Sequence, residues 1–230
     1  MPPPQGEPAV VISMLMNTSV AEASIQPPPR RQRRGVQRLQ ALMAAGRRML
    51  NDRSLEELSI VELCREVDAT TGAFYNQFDS KAAFFRALQR SVCDQRARQF
   101  DAFMADVQAQ QIAPAEMVAR LVRNFVEHVR QDGGVIRASL LHVRTDEDWW
   151  APFRQLGAHH KQLLGAWLVP RLPQLKASQR QLRVDFAHQA LSGAIVHTLL
   201  NRPGTLGLAD EALIRELTRL VRSYLELPTD

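Results

Sequence analysis

Apolar residues recur every three to four positions along most of the chain after residue 35, which is the spacing of one face of an α-helix. No stretch alternates between apolar and polar residues over a useful length, as a half-buried β-strand would. Breaks rich in Gly, Pro, Asn and Asp separate the periodic stretches. The pattern therefore predicts an all-α protein of about nine helices, at about 36–51, 59–67, 71–77, 80–107, 114–131, 134–145, 148–169, 177–200 and 210–226.

Residues 1–29 lack this periodicity. Proline clusters at Pro2–Pro4 and Pro27–Pro29 remove backbone donors and favour extended structure, so we expect a disordered tail. A basic run at 30–34 then stands directly before the first helix. It is either a solvated charge run or an arm that contacts DNA phosphates or enters a minor groove. The candidate contacts of such an arm are Arg31, Arg33 and Arg34.

The second predicted helix has unusually complete start signals. Ser59 and Glu62 have the spacing of a capping box, in which each residue satisfies a backbone amide of the other. Leu58 and Leu63 occupy the two positions of a hydrophobic staple, which fixes the direction of the chain before the helix. We therefore expect this helix to begin at Ser59.

A turn and a very short helix follow. Asp68 tolerates the left-handed backbone conformation that such a turn often needs, and Thr70 can cap the next helix. A helix of about seven residues is not stable alone, so packing must hold it. Phe74 and Phe78 are the predicted anchors.

This stretch resembles the N-terminal domain of TetR-family transcriptional regulators. The resemblance rests on a helix that begins at Ser59, on the string Gly72-Ala73-Phe74-Tyr75-x-x-Phe78-x-Ser80-Lys81, and covers about residues 35–95. The chain departs from the usual family pattern at Ser54, Cys64, Val67, Asp68 and Ala82. The resemblance implies a three-helix DNA-binding domain at 30–95, with its helix-turn-helix at about 58–77. A helical ligand-binding and dimerisation domain would occupy 96–230.

The residue types of the short helix suit a DNA reader. The major groove, about 12 Å wide, admits one α-helix and is read by polar side chains near the start of that helix. Tyr75 and Lys81 are either phosphate contacts or, respectively, a packed aromatic residue and a solvated lysine. The candidate DNA-binding residues are Arg31, Arg33, Arg34, Ser59, Thr70, Thr71, Gly72, Ala73, Tyr75, Asn76 and Lys81.

The middle helices carry aromatic residues and histidines, which either pack in a core or line a pocket for a small apolar or amphipathic ligand. The candidate pocket residues are Phe125, His128, His142, Trp149, Trp150, Phe153 and Trp167. A zinc site is an alternative use of His142, Asp146, Glu147, His159 and His160, but their spacing matches no zinc motif. We expect no metal and no cofactor.

The last two helices are predicted to form a dimer interface. The helix at 177–200 is apolar over much of its surface, and its small residues allow a partner helix to approach closely. A helix that is apolar on more than one face needs two neighbours. Both neighbours could lie in one monomer, whereas the resemblance implies a homodimer in which the last two helices of each subunit pair.

Composition adds bounds to this picture. The chain has 230 residues and a formal charge of +5, and its basic residues are almost all arginines, which match phosphates and guanine edges. Cys64 and Cys93 lack a metal or redox spacing, so we expect two core thiols in a reducing, cytoplasmic compartment. No apolar run is long enough for a membrane span.

The sequence and the resemblance together predict a transcriptional regulator. Members of this family are most often homodimeric repressors, so we expect a homodimer that a small ligand releases from a palindromic DNA operator. The sequence contains no signature of catalytic residues, so we expect no enzyme activity. The alternative is an all-α small-molecule-binding protein or enzyme that uses the aromatic pocket.

Overall fold

The computed structural model describes residues 30–141, 148–201 and 204–228, with side chains from residue 35 onward. All regular secondary structure in these ranges is helical, which confirms the predicted all-α class. The α-helices are α1 (Arg30–Asp52), α2 (Ile60–Glu66), α3 (Thr71–Tyr75), α4 (Lys81–Ala109), α5 (Pro114–Leu141), α6 (Ala151–Leu168), α7 (Ala177–Leu200) and α8 (Glu211–Tyr224). A short 3₁₀ turn, Val169–Arg171, extends α6.

The described residues contain eight α-helices because the predicted break at Gly133 and Gly134 does not exist. Helix α5 runs through both glycines without interruption. A Cβ atom at Gly134 would lie 2.1 Å from the carbonyl oxygen of Leu50, and one at Gly133 would lie 2.8 Å from Leu199 Cδ1. The two glycines allow neighbouring helices to cross closely, so the prediction of separate helices at 114–131 and 134–145 is wrong.

The turn between α2 and α3 has the predicted local geometry. Ser59 is the N-cap of α2, and its Oγ accepts a hydrogen bond from the Glu62 amide. Asp68 has a φ of 51°, which confirms the expected left-handed residue after the helix. The Ala69 amide donates to the Cys64 carbonyl over 2.9 Å, the bond that closes a Schellman turn. Local hydrogen bonds therefore fix the angle between the two helices.

Buried apolar side chains form two clusters, and α4 contributes to both. The first turns of α4 place Phe84, Phe85 and Leu88 in a cluster with residues of α1, α2 and α3. Later turns place Phe100 and Met104 in a second cluster with residues of α5 to α8. Helix α4 is therefore a continuous rod between the two cores.

Both cysteines are free and buried, as predicted. Burial, together with the nearby Asp94 and Asp132 carboxylates, raises the pKa of the Cys93 thiol to about 12, and burial also raises the pKa of the Cys64 thiol. Neither side chain is a reactive thiolate near neutral pH. Within the described ranges, no helix is both long enough and apolar enough to cross a bilayer.

Candidate nucleic-acid interface

Helix α3 is only five residues long and depends on its contacts. Thr70 caps it, with Oγ1 accepting a hydrogen bond from the Ala73 amide over 3.1 Å. The buried Phe74 ring lies 5.2 Å from the Phe78 ring and 5.5 Å from the Phe84 ring, centroid to centroid. Both predicted anchors are thus confirmed, because this aromatic cluster fixes the inner side of α3 against the start of α4.

The outer side of α3 carries polar groups toward solvent. The structure brings the predicted residues of this helix together, and the exposed ones are Thr70, Thr71, Gly72, Tyr75 and Asn76. Tyr75 is 55% exposed while its ring packs edge-on against Phe74 at 5.2 Å. A Cβ atom at Gly72 would have only Thr70 Oγ1 within 4 Å, so nothing blocks close approach to the backbone. Ala73 is half-buried beside this surface.

Two further predicted contacts, Ser59 and Lys81, have structural partners. Ser59 uses its hydroxyl as the cap of α2. Lys81 Nζ donates to the carbonyl oxygens of Glu56 over 2.9 Å and Leu58 over 3.2 Å. Lys81 therefore ties the start of α4 to the loop before α2, a positioning task that the sequence did not predict.

The side chains of Arg31, Arg33 and Arg34 lie outside the described residues, although their backbone forms part of α1. Other arginines around α2 take part in exposed ion pairs, among them Arg48 with Glu66 at 2.6 Å and Arg53 with Glu62. Exposed pairs of this kind contribute roughly 0 to 1 kcal/mol each, so they can exchange partners at low cost.

Four of the predicted pocket residues, Phe125, Trp150, Phe153 and Trp167, lie in or against the second core, each with its own ring contacts. Phe125, on α5, packs among aromatic rings of α4, α6 and α7. Trp149 stacks on Phe85 at 5.4 Å, and Trp150 stacks on Phe153 at 4.8 Å near the start of α6. Trp167 lies under the Arg171 guanidinium near the end of α6.

Two further predicted pocket residues have different outcomes. His142 lies outside the described residues. His128 is half-buried on α5; burial, followed by the positive charge of Arg96, lowers its pKa to about 4.

The sequence interpretation missed His188; it counted His160 among the histidines of the middle helices and in the zinc alternative, but not in the final set of candidate pocket residues. Both lie in the second core beside Phe125, with ring centroids 5.3 Å (His160) and 5.8 Å (His188) from it. His188 precedes the buried Leu191 and Ile195 at helical spacing, a signal that it faces the core. No group of three or more possible metal ligands occurs among the described residues, which do not include 142–147.

A buried ion-pair network joins the two cores. Arg96 of α4 is 4% exposed and Asp132 of α5 is 2% exposed, and Arg96 Nε donates to Asp132 Oδ2 over 2.5 Å. The other carboxylate oxygen of Asp132 pairs with Arg47 of α1. Gln99 and Gln131 accept further hydrogen bonds from Arg96 at 2.6 and 2.9 Å. One carboxylate therefore holds α1, α4 and α5 together.

The end of α1 is also bound directly to α5. Asn51 Oδ1 accepts from the Gly134 amide over 3.1 Å. Arg137 donates to the carbonyl oxygens of Leu50 and Asn51 over 3.0 and 3.1 Å. These bonds satisfy the last carbonyls of α1 with a cation, the charge that a helix C-terminus favours.

An open cleft of about 310 Å³ lies between α4 and the start of α6. Of the predicted pocket residues it includes only Trp149. The lining residues are Arg86, Gln89, Arg90, Asp148, Trp149, Ala151 and Pro152. Gln89 is buried and already bonded to Ser139 and to the Trp149 carbonyl, so it braces the cleft wall.

Comparison with solved structures shows the same fold in proteins of low identity. A putative TetR-family transcriptional regulator from Mesorhizobium loti is 12% identical, with a TM-score of 0.68, and the match covers 84% of this chain and 97% of that one. FadR from Bacillus subtilis, solved with stearoyl-CoA, is 13% identical, with a TM-score of 0.59 over 80% and 98%.

A TetR/AcrR-family regulator from Thermobifida fusca is 18% identical, with a TM-score of 0.58 over 81% of this chain and 96% of that one. No curated protein matches the sequence.

Two family matches account for most of the described chain. Residues 42–88, which contain α2, α3 and the start of α4, match the family described as bacterial regulatory proteins, tetR family. Residues 113–225 match the tetracyclin repressor-like C-terminal domain. The matches together span more than two thirds of the chain. The first includes α3, whose polar side is exposed, and the second includes most of the second core. The chain belongs to the TetR family of bacterial regulatory proteins and is a DNA-binding regulator of transcription.

Proposed function

We propose that this regulator is a homodimeric repressor that binds a palindromic operator and is released from it by a small molecule. The observation that carries the DNA-binding part is α3, whose Phe74 side is locked in an aromatic cluster while Thr71 and Asn76 face solvent. A rigid, shallow polar ridge of one helix fits a major groove. Because it offers few side chains to base edges, most of the affinity should come from phosphates and fall steeply with salt.

The experiment is footprinting of the full-length protein on the DNA upstream of its own gene, at physiological salt. We expect protection of two half-sites related by a two-fold axis and centred about one helical turn apart, or a multiple of it. Replacing Thr71 and Asn76 with alanine should weaken specific binding by about 1 to 3 kcal/mol for each side chain that reads a base, without changing the helical content.

A matched control is Thr205→Ala, which removes an exposed threonine far along the chain from α3 and should leave operator affinity unchanged. Binding without any sequence preference would contradict the proposal and favour an all-α small-molecule-binding protein.

The homodimer is supported by an apolar surface on α7 and α8. Leu182 is 68% exposed and Leu220 is 54% exposed, and the half-exposed Phe186 and Tyr224 rings pack together at 5.4 Å between the two helices. A Cβ atom at Gly193 of α7 would meet nothing within 4 Å, so a partner helix has room there. Exposed apolar residues grouped in this way indicate a protein interface.

Replacing Leu220 with glutamate should convert the dimer into a monomer, because it would bury a charge without a partner in that interface. Sedimentation equilibrium measures the change. The matched control is Leu141→Glu, since Leu141 is 61% exposed on α5 and lies outside the α7 and α8 surface. A chain that is monomeric before substitution would contradict the proposed dimer.

Ligand control is supported by α4, which packs in both cores and is the next helix after α3. FadR, which shares the fold, was solved with stearoyl-CoA. A ligand that enters the second core among α4 to α7 would shift α4 and, with it, α3. We place the boundary between the DNA-binding and regulatory parts near residue 95, where the buried contacts of α4 change from one core to the other.

A further inference from the structure

Aromatic rings from four helices meet in the second core. His160 of α6 lies 4.0 Å from Phe100 of α4 and 5.3 Å from Phe125 of α5, centroid to centroid. His188 of α7 lies 5.8 Å from Phe125 and 6.4 Å from His160. We call Phe100, Phe125, His160 and His188 the His160 cluster.

Two polar atoms of the His160 cluster, Nε2 of His160 and Nε2 of His188, are buried without a hydrogen bond among the described residues. His160 is only 6% exposed. Buried polar groups in folded proteins almost always have a partner, so two unpaired imidazole nitrogens in neighbouring rings require an explanation.

The charge state of the His160 cluster limits what can bind there. Burial, followed by the charge of His188, lowers the pKa of His160 to about 3. Burial, followed by the charge of Lys161, lowers the pKa of His188. Both imidazoles are therefore neutral at neutral pH, and each has one N–H donor and one nitrogen lone pair.

We propose that the His160 cluster is the polar anchor of the regulatory ligand site, and that it selects an uncharged ring compound with a hydroxyl group, such as a phenol. The proposal rests on the proposed function, which requires a small-molecule ligand. A hydroxyl group both donates and accepts hydrogen bonds, so it can pair with Nε2 of either imidazole, whether that nitrogen carries the proton or the lone pair. The rings of Phe100 and Phe125 would contact the apolar body of the ligand.

Carboxylate ligands fit this cluster poorly. The two neutral imidazoles supply no positive charge to offset a buried anion. Apolar rings without a hydroxyl would leave both Nε2 atoms unpaired. The His160 cluster should therefore separate phenol from benzoate and from toluene.

The test uses the full-length protein with phenol, toluene and benzoate as probes. Binding is measured by isothermal titration calorimetry and by the shift in Tm. We expect phenol to bind about tenfold more tightly than toluene, as one net hydrogen bond allows. Benzoate should not bind. His160→Phe keeps the ring and removes the nitrogen, so phenol and toluene should bind this variant equally, and its Tm without probe should rise.

His188→Phe provides a second variant if the first does not fold, and it should reduce the same preference. The matched control is His197→Phe, which alters an exposed histidine on the same helix and should leave the preference unchanged. The inference is overturned if phenol binds wild type no better than toluene, if benzoate binds best, if no probe binds up to its solubility limit, or if His160→Phe and His188→Phe keep the preference.

Operator affinity without probe, measured on the same proteins, separates this inference from the proposed function. Specific DNA binding with no phenol preference would overturn only the inference. Loss of sequence-specific binding by wild type would overturn the proposed function, whatever the probes do.

Discussion

At the scale of single residues, Gly134 is the position where a side chain is least tolerable. A Cβ atom there would meet the Leu50 carbonyl oxygen and the Asn51 nitrogen at 2.1 and 2.5 Å, and backbone atoms cannot move aside as the end of a flexible side chain can. We expect Gly134→Ala to lower the free energy of unfolding by about 3 kcal/mol, at the upper end of overpacking costs. Urea denaturation measures the change.

The matched control is Gly157→Ala in α6, where a Cβ atom would meet nothing within 4 Å. Alanine is the better helix former, so this variant should gain about 0.5 to 1 kcal/mol. Equal effects at the two positions would show that α1 and α5 do not cross as closely as described.

Residues with local roles were predictable from the sequence, and residues with distant partners were not. Asp68 and the Ser59 and Thr70 caps interact within a few positions, so their roles follow from spacing. Gly134 was misinterpreted because glycine occurs both in turns and at close helix crossings, and the sequence alone does not distinguish the two uses. The bonds of Lys81 to the carbonyls of Glu56 and Leu58 have no sequence signature.

At the scale of elements, Asp132 determines how α1, α4 and α5 are held. Asp132→Asn would leave Arg96 buried with a positive charge and no counter-ion among its described neighbours. Removing one partner of a buried pair typically costs about 3 to 5 kcal/mol, so we expect a loss of this size in urea denaturation. Operator affinity should also fall, because α1 and α4 pack in the same core as α3 and hold it in position.

An exposed pair on α8 supplies the comparison. Glu216→Gln removes a carboxylate whose partner, Arg219, is 3.2 Å away, with both side chains more than half exposed. This change should cost less than about 1 kcal/mol. An Asp132→Asn variant as stable as Glu216→Gln would show that the Asp132 network does not hold the three helices.

Apart from the false break within α5, the helices and the caps of α2 and α3 were predictable, but the contacts between helices were not. Apolar periodicity marks which face of α4 is buried, yet it does not show that the same face enters two different cores. The Asp132 network joins Arg96 to Asp132, which lie 36 positions apart in the sequence. Nothing in the sequence distinguishes its arginines from arginines at the surface. The predicted pocket residues were grouped by type, and the sequence did not show which rings each of them would contact.

At the scale of the whole molecule, buried histidines should make stability depend on pH. The pKa of His160 is lowered to about 3 and that of His128 to about 4, each mainly by burial, from 6.5. Below pH 6.5 the unfolded chain therefore binds protons that the folded chain does not. The contribution of these histidines to the free energy of unfolding should be fully present above about pH 6.5. The free energy of unfolding should fall from there toward about pH 5, by up to about 1.4 kcal/mol per pH unit for each histidine.

Thermal denaturation between about pH 7.5 and about pH 5 measures this dependence. His160→Phe should reduce the slope because it removes one of the protonation sites, whereas His197→Phe, at an exposed position, should not. A stability that stays constant over this range would contradict the burial of both His160 and His128.

Helix α5 contains 28 residues, so its axis is about 42 Å long, and Gly134 touches α1 near one end of it. The segment from Pro114 to Gly134 is about 30 Å long, whereas that from Gly134 to Leu141 is about 10 Å long. If α5 tilted as a rigid rod about this contact, a shift of about 3 Å at Pro114 would become an opposite shift of about 1 Å at Leu141. The bonds from Gly134 and Arg137 to α1 lie at or close to the point of least displacement, so α1 would stay in place while the Pro114 end moves.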